Sequence, residues 1–270
     1  MKNIKIIVID VDGTLLNSKK ELTPKVRNAI LKAKSAGIKI VIATGRPLSG
    51  VEKILTELGL NDQEDQYVVC FGGGVVETTA GNVLFEKKLT YDNYLDLETI
   101  SLKLGLHFHA SAPDRIYTAD RDIGDYTLYE ANLVNLGISY RTPAEMKDIP
   151  IIKCMYVDRQ DLLDQKIADH RPFAHLDDEI TFTKTAPFYY EANPKGVSKG
   201  NALKFLCHKL NLSSENLMAI GDEENDLSMI KFAGVGVAMG NAVPAVKEAA
   251  QRVTSDCDHD GVAEAIEKIL

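Results

Sequence analysis

Four groups of polar residues follow strand-like runs or begin a helix, in positions where they could act on a cation or an anion. In the first group, Asp10 and Asp12 come directly after the β-branched run 4–9. Their spacing of two lets both carboxylates face one cavity, and Gly13 lets the chain turn after them. Carboxylate oxygens are the ligands that hard divalent cations prefer. The first group therefore predicts a cation site.

The second group, Thr44, Gly45 and Arg46, follows the strand-like run 38–43. It combines a hydroxyl group, an accessible backbone N–H group and a guanidinium group near the start of a helix, which is a combination that binds anions. For Arg46 two interpretations stay open, a contact with a second anionic group of a substrate and an ordinary cap or surface contact.

The third group is a lysine near the start of a predicted helix, and the fourth is a cluster of acidic and amide residues. Lys195 and Lys199 compete for the third position, and we favour Lys199 because it opens the helix and so points toward the ends of the strands. The fourth group consists of Asp222, Asn225 and Asp226. Each group alone also fits a common turn or cap. Because ligands of parallel sheets bind outside the carboxyl ends of the strands, the four together predict one site.

The elements that must position these groups alternate strand and helix at both ends of the chain. In the N-terminal part we expect strands at 4–9 and 38–43, a helix from Thr23 to Gly37 and another after Pro47. In the C-terminal part we expect a helix after Ser198, strands at 217–220 and 235–237, a helix after Glu224 and a final helix with Val262, Ile266 and Ile269 on one face. Both parts predict doubly wound α/β structure.

Residues from about 83 to 189 follow a different pattern. Helices are predicted near 91–104, 122–136 and 159–170, and two hairpins pair 107–109 with 115–117 and 181–183 with 188–190. Paired neighbouring strands favour an antiparallel α+β insert. The expected domains are therefore a core of residues 1–82 and 191–270 and an insert of residues 83–190.

Composition excludes several classes of protein. The 270 residues are 45% hydrophobic and 26% charged, which is ordinary for a globular protein and argues against disorder. The net charge of −8 offers no footprint for nucleic acid. Neither a membrane span nor a secretory signal is recognisable. The four cysteines lack CxxC spacing, so we expect free thiols in a reducing compartment. They are Cys70, Cys154, Cys207 and Cys257. We therefore expect the protein to be cytoplasmic.

The order of these groups makes the chain similar to a known superfamily. It resembles the haloacid dehalogenase (HAD) superfamily, and within it the Cof-type phosphatases with a large cap, most closely the YidA-type sugar phosphatases. The resemblance covers the whole chain and rests on four motifs, which are DxDGT at 10–14, Thr44, Lys199, and GDxxND at 221–226. It implies a Rossmann-like core with a parallel sheet and an inserted α+β cap of the C2 type.

The resemblance also implies a mechanism. Asp10 would attack phosphorus and form an aspartyl-phosphate, while Asp12 would act as general acid and then general base. Mg²⁺ would be held by Asp10, the backbone carbonyl of Asp12, and Asp222. The phosphoryl oxygens would be bound by Thr44, Lys199, Asn225 and the backbone N–H groups of Val11 and Gly45. Asp226 would orient Lys199 or a metal-bound water, and Arg46 would support the site.

One segment departs from the pattern of the YidA-type relatives, which usually have an Asn-Gly pair after the strand that leads to the cap. Here the sequence is Phe71-Gly72-Gly73-Gly74. Without the amide side chain a possible substrate contact is lost, so leaving-group specificity should not be copied from those relatives. The glycines either form a hinge or allow a close approach of backbone.

Within the insert, several side chains could recognise the hydroxyl groups of a leaving group, although residues of these types more often pack in a core or lie on a surface. They are His107, His109, Arg115, Tyr117, Arg121, Tyr126, Tyr189 and Glu191. His107 and His109 share a strand face, but no third ligand stands out, so no zinc site is expected.

The expected substrate is a small phosphate ester, with sugar phosphates first and flavin mononucleotide or pyridoxal phosphate as alternatives. A phosphomutase or phosphotransferase could use the same residues. A sensor that binds a phosphorylated metabolite without turnover is a third alternative. No nucleic-acid or membrane partner is expected, and both a monomer and a dimer stay open.

Overall fold

The computed structural model describes residues 4–270. The strands are β1 Ile6–Ile9, β2 Lys39–Ala43, β3 Tyr67–Cys70, β4 Val75–Thr78, β5 Val83–Glu86, β6 His107–Ser111, β7 Arg115–Thr118, β8 Gly137–Tyr140, β9 Lys153–Val157, β10 Ile180–Ala186, β11 Tyr189–Pro194, β12 Leu217–Gly221, β13 Val235–Ala238 and β14 Arg252–Val253. The helices are α1 Pro24–Ser35, α2 Glu52–Glu57, α3 Tyr91–Leu104, α4 Asp125–Val134, α5 Gln160–Ile167, α6 Lys199–Lys209, α7 Leu227–Phe232, α8 Pro244–Ala249 and α9 Gly261–Glu267. The chain divides into two compact units, Met1–Phe85 with Ser198–Leu270, and Glu86–Val197.

The first unit contains a sheet of eight strands in the order β14-β13-β12-β1-β2-β3-β4-β5. Neighbours from β14 to β3 are parallel. The four residues of β1 are fully buried, as their β-branched sequence requires of a central parallel strand. The expected parallel sheet needs one correction, because β4 runs antiparallel to β3. Only a few residues join these two strands, too few for the crossover that a parallel pair needs.

The second unit contains a sheet of six strands in the order β10-β11-β9-β6-β7-β8. Both predicted hairpins are present, β6 with β7 and β10 with β11. The expectation of an antiparallel insert is wrong for one pair, since β7 and β8 are parallel. The intervening α4 provides the crossover that such a pair needs. An α/β core with an α+β insert is confirmed.

Boundaries differ from expectation in three places. The helix expected directly after Pro47 begins as a 3-10 turn at Leu48–Gly50, and α2 follows. The helix expected after Glu224 likewise begins as a 3-10 turn, Glu224–Asp226. The strand β11 continues to Pro194 in pairing with β10, so the second unit extends beyond the predicted limit at residue 190. In residues 4–270, no helix has both the length and the apolar character needed to cross a membrane.

Candidate active site

Asp10 lies at the carboxyl end of β1, in the middle of the sheet of the first unit. Its backbone N–H donates to Ile220 O at 3.1 Å, so the chain after β1 starts beside the end of β12. The Asp10 side chain is buried. Asp222 follows β12 in the same way and is also buried. Parallel pairing therefore brings together two carboxylates that are separated by more than two hundred residues.

Lys199, the first residue of α6, supplies the cation of this site. Its ammonium group is fully buried and donates to Asp10 Oδ1 at 2.5 Å and to Asp226 Oδ1 at 2.6 Å. The helix starts there because the Ser198 side chain caps it by accepting from the N–H of Asn201. Lys195, the competing candidate, instead donates to the backbone carbonyl of Asp177 in the second unit.

Asp226 connects this lysine to the loop that carries Asp222. Its Oδ2 accepts from the backbone N–H groups of Asp222 at 2.9 Å and Glu223 at 3.1 Å, while its Oδ1 pairs with Lys199. Both oxygens of this fully buried carboxylate thus have partners in the chain. The arrangement holds the lysine and the Asp222 loop in one position.

Asp222 is held by two side chains that sequence reasoning did not assign to the site. Thr14 Oγ1 donates to Asp222 Oδ1 at 2.6 Å, and Asn241 Nδ2 donates to Asp222 Oδ2 at 3.2 Å. Thr14 is the last residue of the first motif. Asn241 follows β13 much as Asp222 follows β12, and that position after a strand is the signal that could have found it.

Asp12 points to two cations rather than to the other carboxylates. Arg46 reaches both of its oxygens, with Nη2 at 2.8 Å from Oδ1 and Nε at 3.1 Å from Oδ2. Lys20 Nζ is 2.9 Å from Oδ1. Burial would raise the pKa of Asp12, but the hydrogen bond from Lys20 and the charge of Arg46 hold it below its ordinary value. No sequence pattern pointed to Lys20, which lies in the irregular segment before α1.

The predicted phosphate-binding residues occupy the loop after β2 and its surroundings. Thr44 is buried, and its Oγ1 accepts from the backbone N–H of Arg46 at 3.1 Å. Gly45 is exposed beside it. Val11 is buried between the two acidic residues of the first group, while Asn225 is exposed in the 3-10 turn before α7.

The charges of this cluster do not balance without a cation. Burial and the nearby charge of Asp226 raise the pKa of Asp10 to about 8, although Lys199 opposes that rise. Burial also raises the pKa of Asp222 to about 6. For Lys199, burial alone would lower the pKa, but the charges of Asp10 and Asp226 outweigh it and raise the pKa. Three carboxylates thus share one ammonium group.

This donor chemistry fits a hard divalent cation. Oxygens of Asp10, Asp222 and Asp226 lie within 4.8 Å of one another, and they form the one group of three possible metal ligands in the described part of the chain. Oxygen-only ligands suit Mg²⁺. Asp226 accepts three hydrogen bonds, one from Lys199 and two from backbone N–H groups, whereas Asp222 accepts one on each oxygen. Because a carboxylate oxygen has two lone pairs, Asp10 and Asp222 are the better side-chain ligands. The Asp12 side chain is engaged by Arg46, which leaves only its backbone carbonyl for a metal.

The candidate residues of the second unit fall into separate local networks. His107 Nδ1 is 3.1 Å from Asp120, and the fully buried His109 is 3.1 Å from Thr127 Oγ1. Burial and the charge of Lys153 lower the pKa of His109 to about 3. The remaining candidates contact their neighbours as follows: Arg115 with Ser139, Tyr117 with Arg141, Tyr126 with Phe188, Tyr189 with the carbonyl of Tyr126, and Glu191 with Lys153. Arg121 is exposed.

Comparison with known proteins gives one consistent result. A family model described as haloacid dehalogenase-like hydrolase matches residues 7–266. The chain is 45% identical to a Streptococcus pyogenes protein that is provisionally named a phosphatase, over 98% of each chain. It is 31% identical to the 5-amino-6-(5-phospho-D-ribitylamino)uracil phosphatase YcsE of Bacillus subtilis, over 98% of this chain and 95% of that protein. A solved haloacid dehalogenase-like hydrolase from Bacteroides thetaiotaomicron superposes with a TM-score of 0.89 at 33% identity, over 99% of this chain and all of that one.

Proposed function

The chain belongs to the haloacid dehalogenase-like hydrolases, and on this premise we propose that it is a Mg²⁺-dependent phosphatase of small phosphate monoesters. The observation that carries the proposal is the buried carboxylate of Asp10, 2.5 Å from Lys199 Nζ and next to Asp222. A carboxylate can attack an anionic phosphate only where cations offset the repulsion between them. The phosphatase names of the relatives point to the same activity.

In the proposed first step, an oxygen of Asp10 forms a bond to phosphorus as the bond from phosphorus to the ester oxygen breaks. The product is an aspartyl-phosphate and a free alcohol. In the second step a water oxygen attacks the same phosphorus, which releases inorganic phosphate and restores the carboxylate. Dividing one difficult hydrolysis into two displacements is the advantage of a covalent intermediate.

Asp12 is the proposed proton carrier for both steps. It donates a proton to the departing alkoxide and later accepts one from the attacking water. Arg46 and Lys20 fix its carboxylate at the edge of the site. Their charges favour the ionised form, which is the form that the second step needs, while the negative charge of an arriving phosphate favours the protonated form that the first step needs.

The phosphoryl oxygens would be held by the hydroxyl of Thr44, the ammonium of Lys199, the amide of Asn225 and the backbone N–H groups of Val11 and Gly45. Mg²⁺ would be held by Asp10, Asp222 and the backbone carbonyl of Asp12. When bound, it would neutralise the carboxylates and polarise a phosphoryl oxygen as a Lewis acid. Asp226 would act only by orienting Lys199 and the loop of Asp222.

For the substrate, we propose a phosphorylated sugar or sugar alcohol. The support is the name of YcsE, which specifies a phosphoribityl compound. Hydroxyl-rich leaving groups need hydrogen-bond donors and acceptors, and the candidates of the second unit that are exposed or half-buried include Arg115, Tyr117 and Arg121. We propose the second unit as the cap that provides this selectivity.

The test is phosphate release from a panel of phosphorylated sugars, sugar alcohols, flavin mononucleotide and pyridoxal phosphate, with Mg²⁺ and with chelator. The variants are Asp10→Asn and, as matched control, Asp65→Asn, whose side chain is 73% exposed in the same unit. Metal-dependent release that is lost in Asp10→Asn alone is the expected result, with the highest kcat/KM for a sugar or sugar alcohol phosphate. Folded protein that releases no phosphate from any ester would contradict the proposal.

A further inference from the structure

Asn241 lies outside every motif that the sequence suggested, yet its side chain joins three segments of the first unit. Nδ2 donates to the backbone carbonyl of Gly13 at 2.9 Å and to Asp222 Oδ2 at 3.2 Å. Oδ1 accepts from the backbone N–H of Cys257 at 3.0 Å. The amide thus connects the turn after β1, the loop after β12 and the segment before α9.

These contacts allow only one orientation of the amide. Two acceptors, Gly13 O and Asp222 Oδ2, face the amino end, which has two N–H groups to donate. One donor, the N–H of Cys257, faces the oxygen end. A flipped amide would place three pairs of like groups together, so Gly13, Asp222 and Cys257 all favour the orientation in which Asn241 presents its amino end to Asp222.

Asp222 receives a donor on each carboxylate oxygen, Thr14 on Oδ1 and Asn241 on Oδ2. Rotation of the carboxylate would break both hydrogen bonds. The backbone is close as well, since a Cβ atom on Gly13 would lie 2.4 Å from Asp222 Oδ2. The carboxylate is therefore held in one orientation before any cation arrives. Such partners behind a ligand strengthen metal binding because the ligand loses less freedom.

We propose that Asn241 is a positioning residue of the cation site, which holds the carboxylate of Asp222 and the turn at Gly13 in the arrangement that binds Mg²⁺. The inference rests on the proposed function only in taking Asp222 as a ligand. Asn241 acts through Asp222, so its loss weakens cation affinity more than it slows phosphoryl transfer at saturating Mg²⁺.

Cys257 offers a second way to disturb Asn241 without removing it. Cys257 is the first residue of the 3-10 turn Cys257–His259, and the preceding Asp256 is extended with φ −75° and ψ 174°. Proline fits the first position of such a turn and favours an extended residue before it. Cys257→Pro therefore replaces the N–H donor with a ring carbon that displaces the Asn241 oxygen, while the backbone conformation of the turn is kept. Cys257→Ala retains that donor and is the reference for it.

The test measures binding of Mg²⁺ alone to the full chain by titration calorimetry, without substrate, for the wild type, Asn241→Ala, Cys257→Pro and Cys257→Ala. Asn28→Ala, an exposed asparagine on α1, is the matched control. We expect the Mg²⁺ Kd to rise about 10- to 100-fold in Asn241→Ala. Cys257→Pro should raise the Mg²⁺ Kd relative to Cys257→Ala. The factor should be smaller than the one by which Asn241→Ala raises the Kd relative to the wild type. In turnover assays of Asn241→Ala, kcat at saturating Mg²⁺ should fall by a smaller factor than the factor by which the Mg²⁺ Kd rises.

Thermal unfolding in chelator shows whether each variant is folded. If Asn241→Ala does not unfold cooperatively, the Mg²⁺ Kd of Cys257→Pro is compared with that of Cys257→Ala. An equal Kd in these two variants would then overturn the inference. A Kd in the folded Asn241→Ala variant within twofold of the wild type would overturn the inference, and so would a loss of kcat at unchanged Kd. Because calorimetry needs no turnover, weaker Mg²⁺ binding in a chain that hydrolyses no ester would support this inference while contradicting the phosphatase.

Discussion

At the scale of single residues, the site depends on ion pairs between charged groups that are far apart in sequence. Lys199 is fully buried between Asp10 and Asp226. The Arg46 side chain is 14% exposed, but that of its partner Asp12 is 41% exposed, so this pair lies at the edge of the site. Removing one member of a fully buried pair such as Lys199 and Asp226 costs more than the pair contributes, since it leaves the partner charged and unpaired. Substitution of Lys199 or Asp226 should therefore affect activity and stability together.

Arg46→Met distinguishes the two interpretations of this arginine. The variant keeps the apolar stem and loses every donor to Asp12. If Arg46 positions Asp12, release from alkyl phosphates falls about 10- to 100-fold. Release from p-nitrophenyl phosphate falls much less, because its leaving group needs no proton. Steady-state kinetics with both esters is the measurement.

The comparison for this prediction is Lys20→Met, which removes the other cation beside Asp12. The Lys20 side chain is 61% exposed, and exposed pairs contribute less than buried ones, so a smaller loss than in Arg46→Met is expected. Equal losses on both esters in Arg46→Met would instead assign Arg46 to substrate binding.

Glu98 in the second unit provides a prediction for pH and stability. It is buried, accepts from the Tyr94 hydroxyl at 3.3 Å, and has its pKa raised to about 7 by burial and by the charge of Asp120. Because the pKa of Glu98 is higher in the folded than in the unfolded protein, the protonated carboxyl group stabilises the fold. This contribution to the free energy of unfolding is complete below about pH 4 and is lost as pH rises through 7. Glu98→Gln removes this dependence.

Relative to the wild type, the free energy of unfolding of Glu98→Gln should rise by about 2 kcal/mol between pH 5 and pH 8. Urea unfolding at the two pH values measures this difference. A difference that stays constant with pH would show that Glu98 ionises as an exposed carboxyl group does.

At the scale of elements, the segment after β3 brings together two parts of the site. The backbone N–H of Gly72 donates to Thr44 O at 2.8 Å, and that of Phe71 donates to Arg46 O at 3.1 Å. At Gly73 a Cβ atom would lie 2.3 Å from the carbonyl oxygen of Ser198, at the start of α6. The close approach of backbone expected for these glycines is thus found at Gly73.

Adjacent glycines in this segment should respond differently to substitution. Gly73→Ala introduces a clash with backbone at φ +106°, so we expect a loss of at least about 2 kcal/mol in unfolding free energy and lower activity as α6 shifts. Gly72 has φ +63° and open space around its Cβ position, and asparagine tolerates this conformation. Gly72→Asn should unfold within about 1 kcal/mol of the wild type. Chemical denaturation of both variants is the check, and equal losses would contradict the assignment.

The features that could be predicted from the sequence are those that depend on the residues of a single strand or helix. Buried β-branched strands such as β1 are recognisable from their own residues, and so are the polar residues that follow them, such as Asp10 and Asp222. The parallel pairing of β7 with β8 was not predictable, because it depends on where α4 returns the chain. The contacts of Lys20 and Asn241 were missed for a related reason, since their partners come from other segments of the fold.

At the scale of the whole molecule, the chain consists of one unit made from both ends of the sequence and one made from the continuous segment Glu86–Val197. The second unit has a core of its own, and its largest aromatic members are Tyr94, Phe108, Tyr156, Phe173 and Tyr190. Near the two ends of this segment, Lys87 donates to the backbone carbonyl of Lys195. A continuous segment with its own core and neighbouring ends has what an independent domain needs.

We therefore expect a fragment of residues 86–197 to fold alone, with a near-ultraviolet circular dichroism signal from its tyrosines and cooperative unfolding in urea. A fragment of residues 1–85 should not fold, because β1 would lack its neighbour β12. Absence of cooperative unfolding in the first fragment, or its presence in the second, would contradict this division.

The pairing of β1 with β12 also determines the order of events on the ribosome. Ile6 pairs with Leu217, and at ordinary elongation rates the second strand is made on the order of 10 to 40 s after the first. During that interval the nascent chain carries a hydrophobic strand with one unpaired edge, which is the kind of surface that chaperones bind. The inserted segment is synthesised completely within the same interval. Asp10 is thus among the first parts of the protein to be translated, and the candidate site around it is among the last to form.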